Sequence, residues 1–565
     1  MLQQIISSKV KRSIKDALLF TYPKVKVKVN QGIVKGCVEK LPNGRDYFRF
    51  SGIPYAQSPI GQLRFKSPQK LLKFDTEELD CTRERSKCFH RSTVLKKFIG
   101  SEDCLNLNVY VPADSNDKKY SVMVFIHGGG FIFDSNSVDF YSPEYLLMED
   151  VIVVTINYRL HALGFLSLPS MGISGNAGLK DQQMALEWVY ENIEHFNGDA
   201  QNICLFGESA GGSSVYLQTL SQKSRKFIKS AICQSGTAVD TWLMQRNGLE
   251  KTKRMAKLVG AKGESDEEIY AALMKATPEE LFRNLLKILD PDEFRRNLPF
   301  AMKPTIEEES DDAFMTQSPL DLIKSQAGQI NIPMIMGKTS GDGMTMTSFF
   351  MKSLKNFNDD RVRMIPQNIK VDLMSEEVKI LAEKISEFYF GKDGLTNEKI
   401  PQFIKLMTDI YFNVPQTMHA RLNQIYHPNI TQYLYEFDFD GKLNFLKKAL
   451  KMTKFKETCH FDELGYLFRH QIIDVNVSKD SREYKMRERM CKLWTNFAKY
   501  GNPTPSHNNP LPSNWDPLKP TDKDLNYMIL SENPRMEVNL HSERIELWKT
   551  IYEKYNSSFF DPKVL

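Results

Sequence analysis

The sequence predicts an α/β protein built on a large, mostly parallel sheet with helices on both faces. The first observation is a series of short, nearly unbroken apolar runs: Ser121–Ile126, Val151–Ile156, Asn202–Phe206, Ile228–Cys233, Ile332–Gly337 and Gln432–Phe437. Runs of this length without polar alternation suit strands covered on both sides. The second is the material between them. Leu179–Ile193 is amphipathic, and the segments 245–330 and 345–425 are rich in Lys, Glu, Leu and Met, which reads as helical insertions over the sheet. The third is composition: 565 residues, 41% hydrophobic, 26% charged and 11% aromatic, which excludes disorder, collagen and small disulfide scaffolds.

The elements follow in order. Residues 1–22 form a basic arm and residues 23–565 one domain. In the arm, Leu2, Ile6, Val10, Ile14 and Leu18 repeat every four residues, Lys9, Arg12 and Lys15 lie off that row, and Pro23 ends the segment. This spacing gives an amphipathic helix, suited either to peripheral contact with a membrane or to packing on the body. Residues 1–28 carry seven cations against Asp16, a net +6 of the whole chain's +5, so the body is close to neutral and nucleic acid is not an expected partner. The longest apolar stretch in the arm is Ala17-Leu18-Leu19-Phe20, too short for a signal-peptide core, so the expected location is intracellular, in the cytoplasm or peripherally on endomembranes. No apolar run approaches the roughly 18 residues of a membrane span. After the arm, Lys24 to Asn30 alternates Lys and Val, and Asn30-Gln31-Gly32 turns the chain into Ile33-Val34-Lys35-Gly36, a hairpin signal.

Chemistry concentrates at Gly207-Glu208-Ser209-Ala210-Gly211, which follows the run Asn202–Phe206 and precedes a helical pattern. A nucleophilic serine presented on a sharp strand-to-helix turn needs small neighbours around a strained backbone. Upstream, Ile126-His127-Gly128-Gly129-Gly130-Phe131 also follows a strand. Acyl transfer builds negative charge on a carbonyl oxygen, and glycines let backbone N–H groups approach it. The expected donors are the N–H groups of Gly129, Gly130 and Ala210. His127 belongs to this loop and supports it.

A serine needs a base. Where the order is nucleophile, acid, base, the histidine comes last. Among the later histidines, His427 precedes a proline and His507 lies in a Pro/Asn-rich loop, which suits the surface, and His470 falls in a helical pattern. His460, in Cys459-His460-Phe461-Asp462-Glu463-Leu464, is the candidate base. For the acid, Asp342 follows the run Ile332–Met336 inside Gly337-Lys338-Thr339-Ser340-Gly341-Asp342-Gly343. Its rival is the cluster Glu307-Glu308-Glu309-Ser310-Asp311-Asp312, which as a run of like charges suits a solvated face.

These residues resemble the type B carboxylesterase/cholinesterase-like family of the α/β-hydrolase fold, the insect alpha-esterases in particular. The resemblance runs from about residue 25 to near the end. It rests on Phe50-Ser51-Gly52-Ile53-Pro54-Tyr55-Ala56, Leu63-Arg64-Phe65, Ser101-Glu102-Asp103-Cys104-Leu105-Asn106-Leu107-Asn108, Asn157-Tyr158-Arg159, Gly175-Asn176-Ala177-Gly178-Leu179-Lys180-Asp181-Gln182, Trp494-Thr495-Asn496-Phe497-Ala498 and Gly501-Asn502-Pro503. It implies a serine esterase acting on small carboxylic esters without metal or other cofactor. It implies the same roles for Ser209, His460, Gly129, Gly130 and Ala210, an acyl-pocket role for Trp242, and a disulfide between Cys88 and Cys104. The chain departs from the family at Asp342, where Glu is usual, and at Val94, where cholinesterases carry a choline-binding Trp. The shorter acid needs a loop shift of about 1 Å to meet the imidazole, at a risk to rate. The expected substrates are lipophilic or xenobiotic esters, with organophosphate sensitivity. The alternatives are a sequestering esterase that deacylates slowly and a non-catalytic adhesion or binding protein. An imidazole base near pKa 6.5 predicts loss of activity in acid.

Overall fold

The structure is a computed structural model that describes residues 22–113, 118–296, 300–351, 354–473 and 475–555. The arm read at residues 1–22 therefore lies outside the described residues, apart from Tyr22. Twelve strands form the main path of one sheet: β1 Lys24–Val29, β2 Gly32–Lys40, β3 Asp46–Pro54, β4 Asn106–Pro112, β5 Tyr120–Ile126, β6 Ile152–Ile156, β7 Gly198–Glu208, β8 Ser230–Gln234, β9 Met334–Thr339, β10 Gln432–Phe437, β11 Asn526–Leu530 and β12 Arg535–Val538. Their spatial order is β1-β2-β3-β4-β6-β5-β7-β8-β9-β10-β11-β12, and the short strand Glu78–Asp80 pairs beside β2. The stretch from β6 to β11 is parallel throughout. Antiparallel strands close both ends, including the β1–β2 hairpin with Val29 opposite Gly32.

The unbroken apolar runs are the parallel strands, because both of their faces are covered. Along β5, Val122, Val124 and Ile126 enter one core while Met123 and Phe125 enter the other; Ile203 and Leu205 part from Cys204 and Phe206 in the same way on β7. Each such side chain removed from water contributes about 1.5–3 kcal/mol. Strands β3 and β4 lack this signature. Their polar residues are buried and satisfied within the sheet: Arg49 donates to Glu39 at 2.7 Å, and Asn108 donates to the Asn136 carbonyl and Thr155 Oγ1.

The two insertions are helical as read. The first holds the helices Gly248–Leu258, Asp266–Lys275 and Pro278–Arg283, and the second the helices Gly343–Phe350, Glu376–Phe390, Ile400–Thr408 and Val414–Tyr426. A π-helical turn, Asp409–Asn413, joins the last two and lowers Phe412 onto the sheet edge. All segments that carry chemistry leave the carboxyl ends of parallel strands: the glycine loop after β5, Ser209 after β7, Ser235 after β8 and Asp342 after β9. This is the edge at which open α/β sheets place their sites.

Candidate active site

Ser209 sits between β7 and the helix Ala210–Leu220 with φ 58° and ψ −125°, a conformation costly for any side chain but glycine. Its neighbours hold it there. The Ser209 N–H donates to the Gln234 carbonyl at 2.8 Å, and its own carbonyl accepts from Ser213 N–H at 2.9 Å. A Cβ on Gly211 would lie 2.0 Å from the Ile126 carbonyl oxygen, and one on Gly207 would lie 2.6 Å from the Gly211 backbone. The motif's glycines are thus required by backbone contact between the elbow and β5.

The glycine loop turns back over that elbow. Gly129 and Gly130 adopt φ of +92° and +60°, and a Cβ on Gly129 would lie 2.1 Å from the Phe133 carbonyl oxygen. His127 is fully buried, stacks on Tyr158 and places Nδ1 3.0 Å from the Gly128 carbonyl oxygen; burial pushes its pKa down to about 4, so it braces the loop as a neutral ring.

His460 follows the 118-residue step from Asp342 in sequence, yet its Nδ1 lies 2.8 Å from Asp342 Oδ1. The shorter acid therefore reaches the imidazole at full hydrogen-bond contact. Asp342 is completely buried and also accepts from Ser235 Oγ, Thr339 Oγ1 and Thr339 N–H. On the far side of the ring, Nε2 is 3.0 Å from Glu208 Oε1, a charge contact whose angle does not make a hydrogen bond. Phe412 covers the imidazole with ring centroids 4.8 Å apart.

The electrostatics correct the expectation of an ordinary imidazole. Burial opposes the charged ring, but Glu208, Asp342 and Glu463 outweigh it and push His460 up to about 9. Glu208, desolvated and repelled by Asp342, rises to about 7 despite the attraction of His460. Glu463 rises well above the usual range through burial and the charge of Glu208. Sequence alone gives neither Glu208 nor Glu463 a part, although Glu208 lies inside Gly207–Gly211 and Glu463 three residues after His460. Ser235, Thr339 and Phe412 had no signal of their own beyond the T-x-x-D spacing of Thr339 to Asp342.

Trp242 is 2% exposed, and its ring meets Phe300 edge-on while Phe131 tilts against it. A Cβ on Gly130 would lie 2.8 Å from the Phe300 ring, so this aromatic wall borders the glycine loop. The rival acid cluster is solvated as expected from Glu308 to Asp312, and only Glu307 departs from that. Glu307 is buried and accepts from Asn176, Phe314 N–H and Met315 N–H, with Lys180 2.7 Å away. His427 is also a correction: it is fully buried as the cap of Val414–Tyr426 rather than on the surface. His470 is not helical, and holds the Phe140 carbonyl at 2.7 Å. Cys88 and Cys104 are joined, and Cys204 and Cys233 are buried thiols.

The chain is similar to known esterases along most of its length. Juvenile hormone esterase of Tribolium castaneum is 33% identical over 517 residues, covering 87% of this chain and 86% of that protein. Esterase B1 of Culex pipiens is 29% identical over 540 residues, 93% of this chain and 98% of its own. The crystal structure of juvenile hormone esterase from Manduca sexta, with OTFP covalently attached, superimposes with a TM-score of 0.82 at 28% identity, covering 94% of this chain and all of that one. The sequence profile of the carboxylesterase family matches residues 23–548. With its α/β-hydrolase fold and its insect esterase relatives, the chain belongs to the carboxylesterase family, serine hydrolases of carboxylic esters.

Proposed function

We propose that Ser209 is the nucleophile, His460 the general base and Asp342 the acid that orients it. The observation that carries this is the pairing of a strained, glycine-flanked serine elbow with an imidazole fixed by a buried carboxylate at 2.8 Å. The Ser209 oxygen attacks the ester carbonyl as His460 takes its proton. The oxyanion is held by the N–H groups of Gly129, Gly130 and Ala210, each worth roughly 3 kcal/mol. His460 then protonates the departing alcohol, and water repeats the sequence on the acyl-enzyme. Asp342 keeps the Nδ1 proton in place and stabilises the imidazolium.

The wall of Trp242, Phe131 and Phe300 beside Gly130 supports an apolar acyl group, and with it lipophilic or xenobiotic esters. Organophosphates would phosphorylate Ser209. Peripheral membrane contact through residues 1–22 belongs to this proposal on the strength of the arm's charge and apolar spacing. So does an intracellular location, with secretion as its alternative; the Cys88–Cys104 bridge suits a lumenal or secreted setting, since cytosolic thiols are kept reduced. Flotation of the full chain with anionic vesicles, compared with a chain lacking residues 1–22, tests the contact, and loss of binding is expected only for the shortened chain.

The enzymatic test is a series of p-nitrophenyl esters of graded acyl length with the wild type and Ser209→Ala. The wild type is expected to turn over with a preference for longer acyl chains, and Ser209→Ala to lose activity by at least about 10³-fold. Intact mass after treatment with diethyl p-nitrophenyl phosphate, which loses p-nitrophenolate as the serine oxygen bonds to phosphorus, should show one diethylphosphoryl adduct on the wild type and none on Ser209→Ala. Substantial esterase activity in Ser209→Ala would overturn the assignment.

A further inference from the structure

Asp342 is one methylene shorter than the acid usual at its position, and it reaches His460 because its carboxylate is pulled into place from the strand behind it. Four contacts fix it besides the imidazole. Thr339 Oγ1 donates to Oδ1 at 2.8 Å, Thr339 N–H donates to Oδ2 at 3.2 Å, and Ser235 Oγ lies 3.1 Å and 3.0 Å from the two oxygens. Thr339 is the last residue of β9, and its strand partner is Phe437 on β10. It is completely buried, as is Asp342. The donor pair therefore stands on the rigid sheet and not on the loop that carries the acid.

The pattern is the reach-back half of a capping box, in which the carboxylate three residues later accepts from the Thr backbone N–H, with the Thr hydroxyl donating to it as well. The same chain forms the ordinary version at Thr277 and Glu280, where the Thr277 N–H and Oγ1 both reach Glu280 at 2.8 Å and 2.7 Å. That box spans its three residues with the longer glutamate on an exposed helix start. At Thr339 the carboxylate belongs to an aspartate, is buried, and spends the remaining acceptor capacity of Oδ1 on His460. The loop between them is held from the other side as well. Gly343 N–H donates to Thr408 Oγ1 at 3.0 Å, and a Cβ on Gly343 would lie 2.3 Å from the Thr408 backbone nitrogen.

We propose that Thr339 is a positioning residue for ester hydrolysis, its hydroxyl and N–H seating the short carboxylate of Asp342 against His460 Nδ1. This rests on the reading of Ser209, His460 and Asp342 given above. Without the hydroxyl, Oδ1 keeps only Ser235 and the imidazole, and the side chain gains freedom about two torsions. Misplacement by about 1 Å at such a group can cost 10²-fold in rate.

Thr339→Val keeps the branched shape and the N–H but removes the hydroxyl donor; Thr339→Ser keeps the donor and loses a methyl. Kinetics are measured on a neutral p-nitrophenyl ester, with kcat expressed per site titrated by diethyl p-nitrophenyl phosphate, and fold is checked by circular dichroism. Thr339→Val is expected to lower kcat about 10- to 100-fold with KM changed less than about threefold, and Thr339→Ser to stay within about threefold of the wild type. Should the valine variant not accumulate, Thr339→Ala serves the same comparison. In an Asp342→Asn background the same valine substitution is expected to cost less than about threefold, since the two residues act as one unit. The proposal is overturned if Thr339→Val stays within twofold of the wild type, if Thr339→Ser is as impaired as Thr339→Val, or if the valine costs the same factor in both backgrounds. Failure of the underlying reading looks different: Asp342→Asn itself would then retain full activity.

Discussion

Glu208 stands next to Ser209 in sequence and against His460 in space, and its removal tests the electrostatics of the proposed site. With Oε1 3.0 Å from His460 Nε2, a full charge at an effective permittivity of about 20 would stabilise the imidazolium by at most about 5 kcal/mol. The displacement of His460 from 6.5 to about 9 corresponds to about 3 kcal/mol net, after burial has pulled the other way and with Asp342 and Glu463 contributing. Glu208 is the largest of the three raising charges. Its replacement by the uncharged isostere in Glu208→Gln therefore brings the pKa of His460 back down toward its ordinary value. Since only the neutral imidazole can accept the serine proton, the acid limb of kcat/KM moves to lower pH. Glu208 itself rises to about 7, so the wild-type enzyme surrenders part of this effect as pH falls through 7, and the separation between the two profiles is widest between about 7 and 9. The assay is kcat/KM for a neutral ester from pH 5 to 10 on both proteins, because that ratio reports the free enzyme. An acid limb that stays where it was, or moves upward, refutes the argument.

Four further outcomes are expected. Asp342→Asn should cost about 10³- to 10⁴-fold in kcat by presenting the wrong tautomer to the serine, measured on the same esters. Gly129→Ala should cost at least about 10²-fold, because its Cβ would fall 2.1 Å from the Phe133 carbonyl oxygen and the loop must move to relieve it; a circular-dichroism spectrum matching the wild type isolates the effect to the site. Trp242→Ala should raise the ratio of kcat/KM for octanoyl over acetyl esters by about tenfold, since it opens the aromatic wall beside Gly130. Glu293→Ala should destabilise the fold by about 3–5 kcal/mol in urea titration, since Lys251, fully buried and 2.7 Å from Glu293, would be left as an uncompensated charge.

Much of the framework was legible because its physics is local. A strand buried on both faces must be apolar at every position, so β5, β6, β8, β9 and β10 could be read to within two residues of their ends. β3 and β4 escaped because Arg49, Asn106 and Asn108 interrupt the apolar run yet are buried, satisfied by Glu39, Ser86 and Asn136 on other segments. The same reason applies to Glu307 and His427. One acid at the head of a solvated run and a histidine before proline look exposed until Asn176, Lys180 and the cap of Val414–Tyr426 are brought to them.

By itself the sequence determined the elements whose demands are steric and short-range: small residues around a strained elbow, glycines where the backbone must pass at contact distance, and the chain order that singled out Ser209, Asp342 and His460. Only the tertiary structure decided what surrounds the imidazole. Glu208, Asp342 and Glu463 arrive from three separate segments, and their charges act through space in a desolvated pocket. Electrostatic coupling depends on distance and burial, neither of which is written in the spacing of residues along a chain.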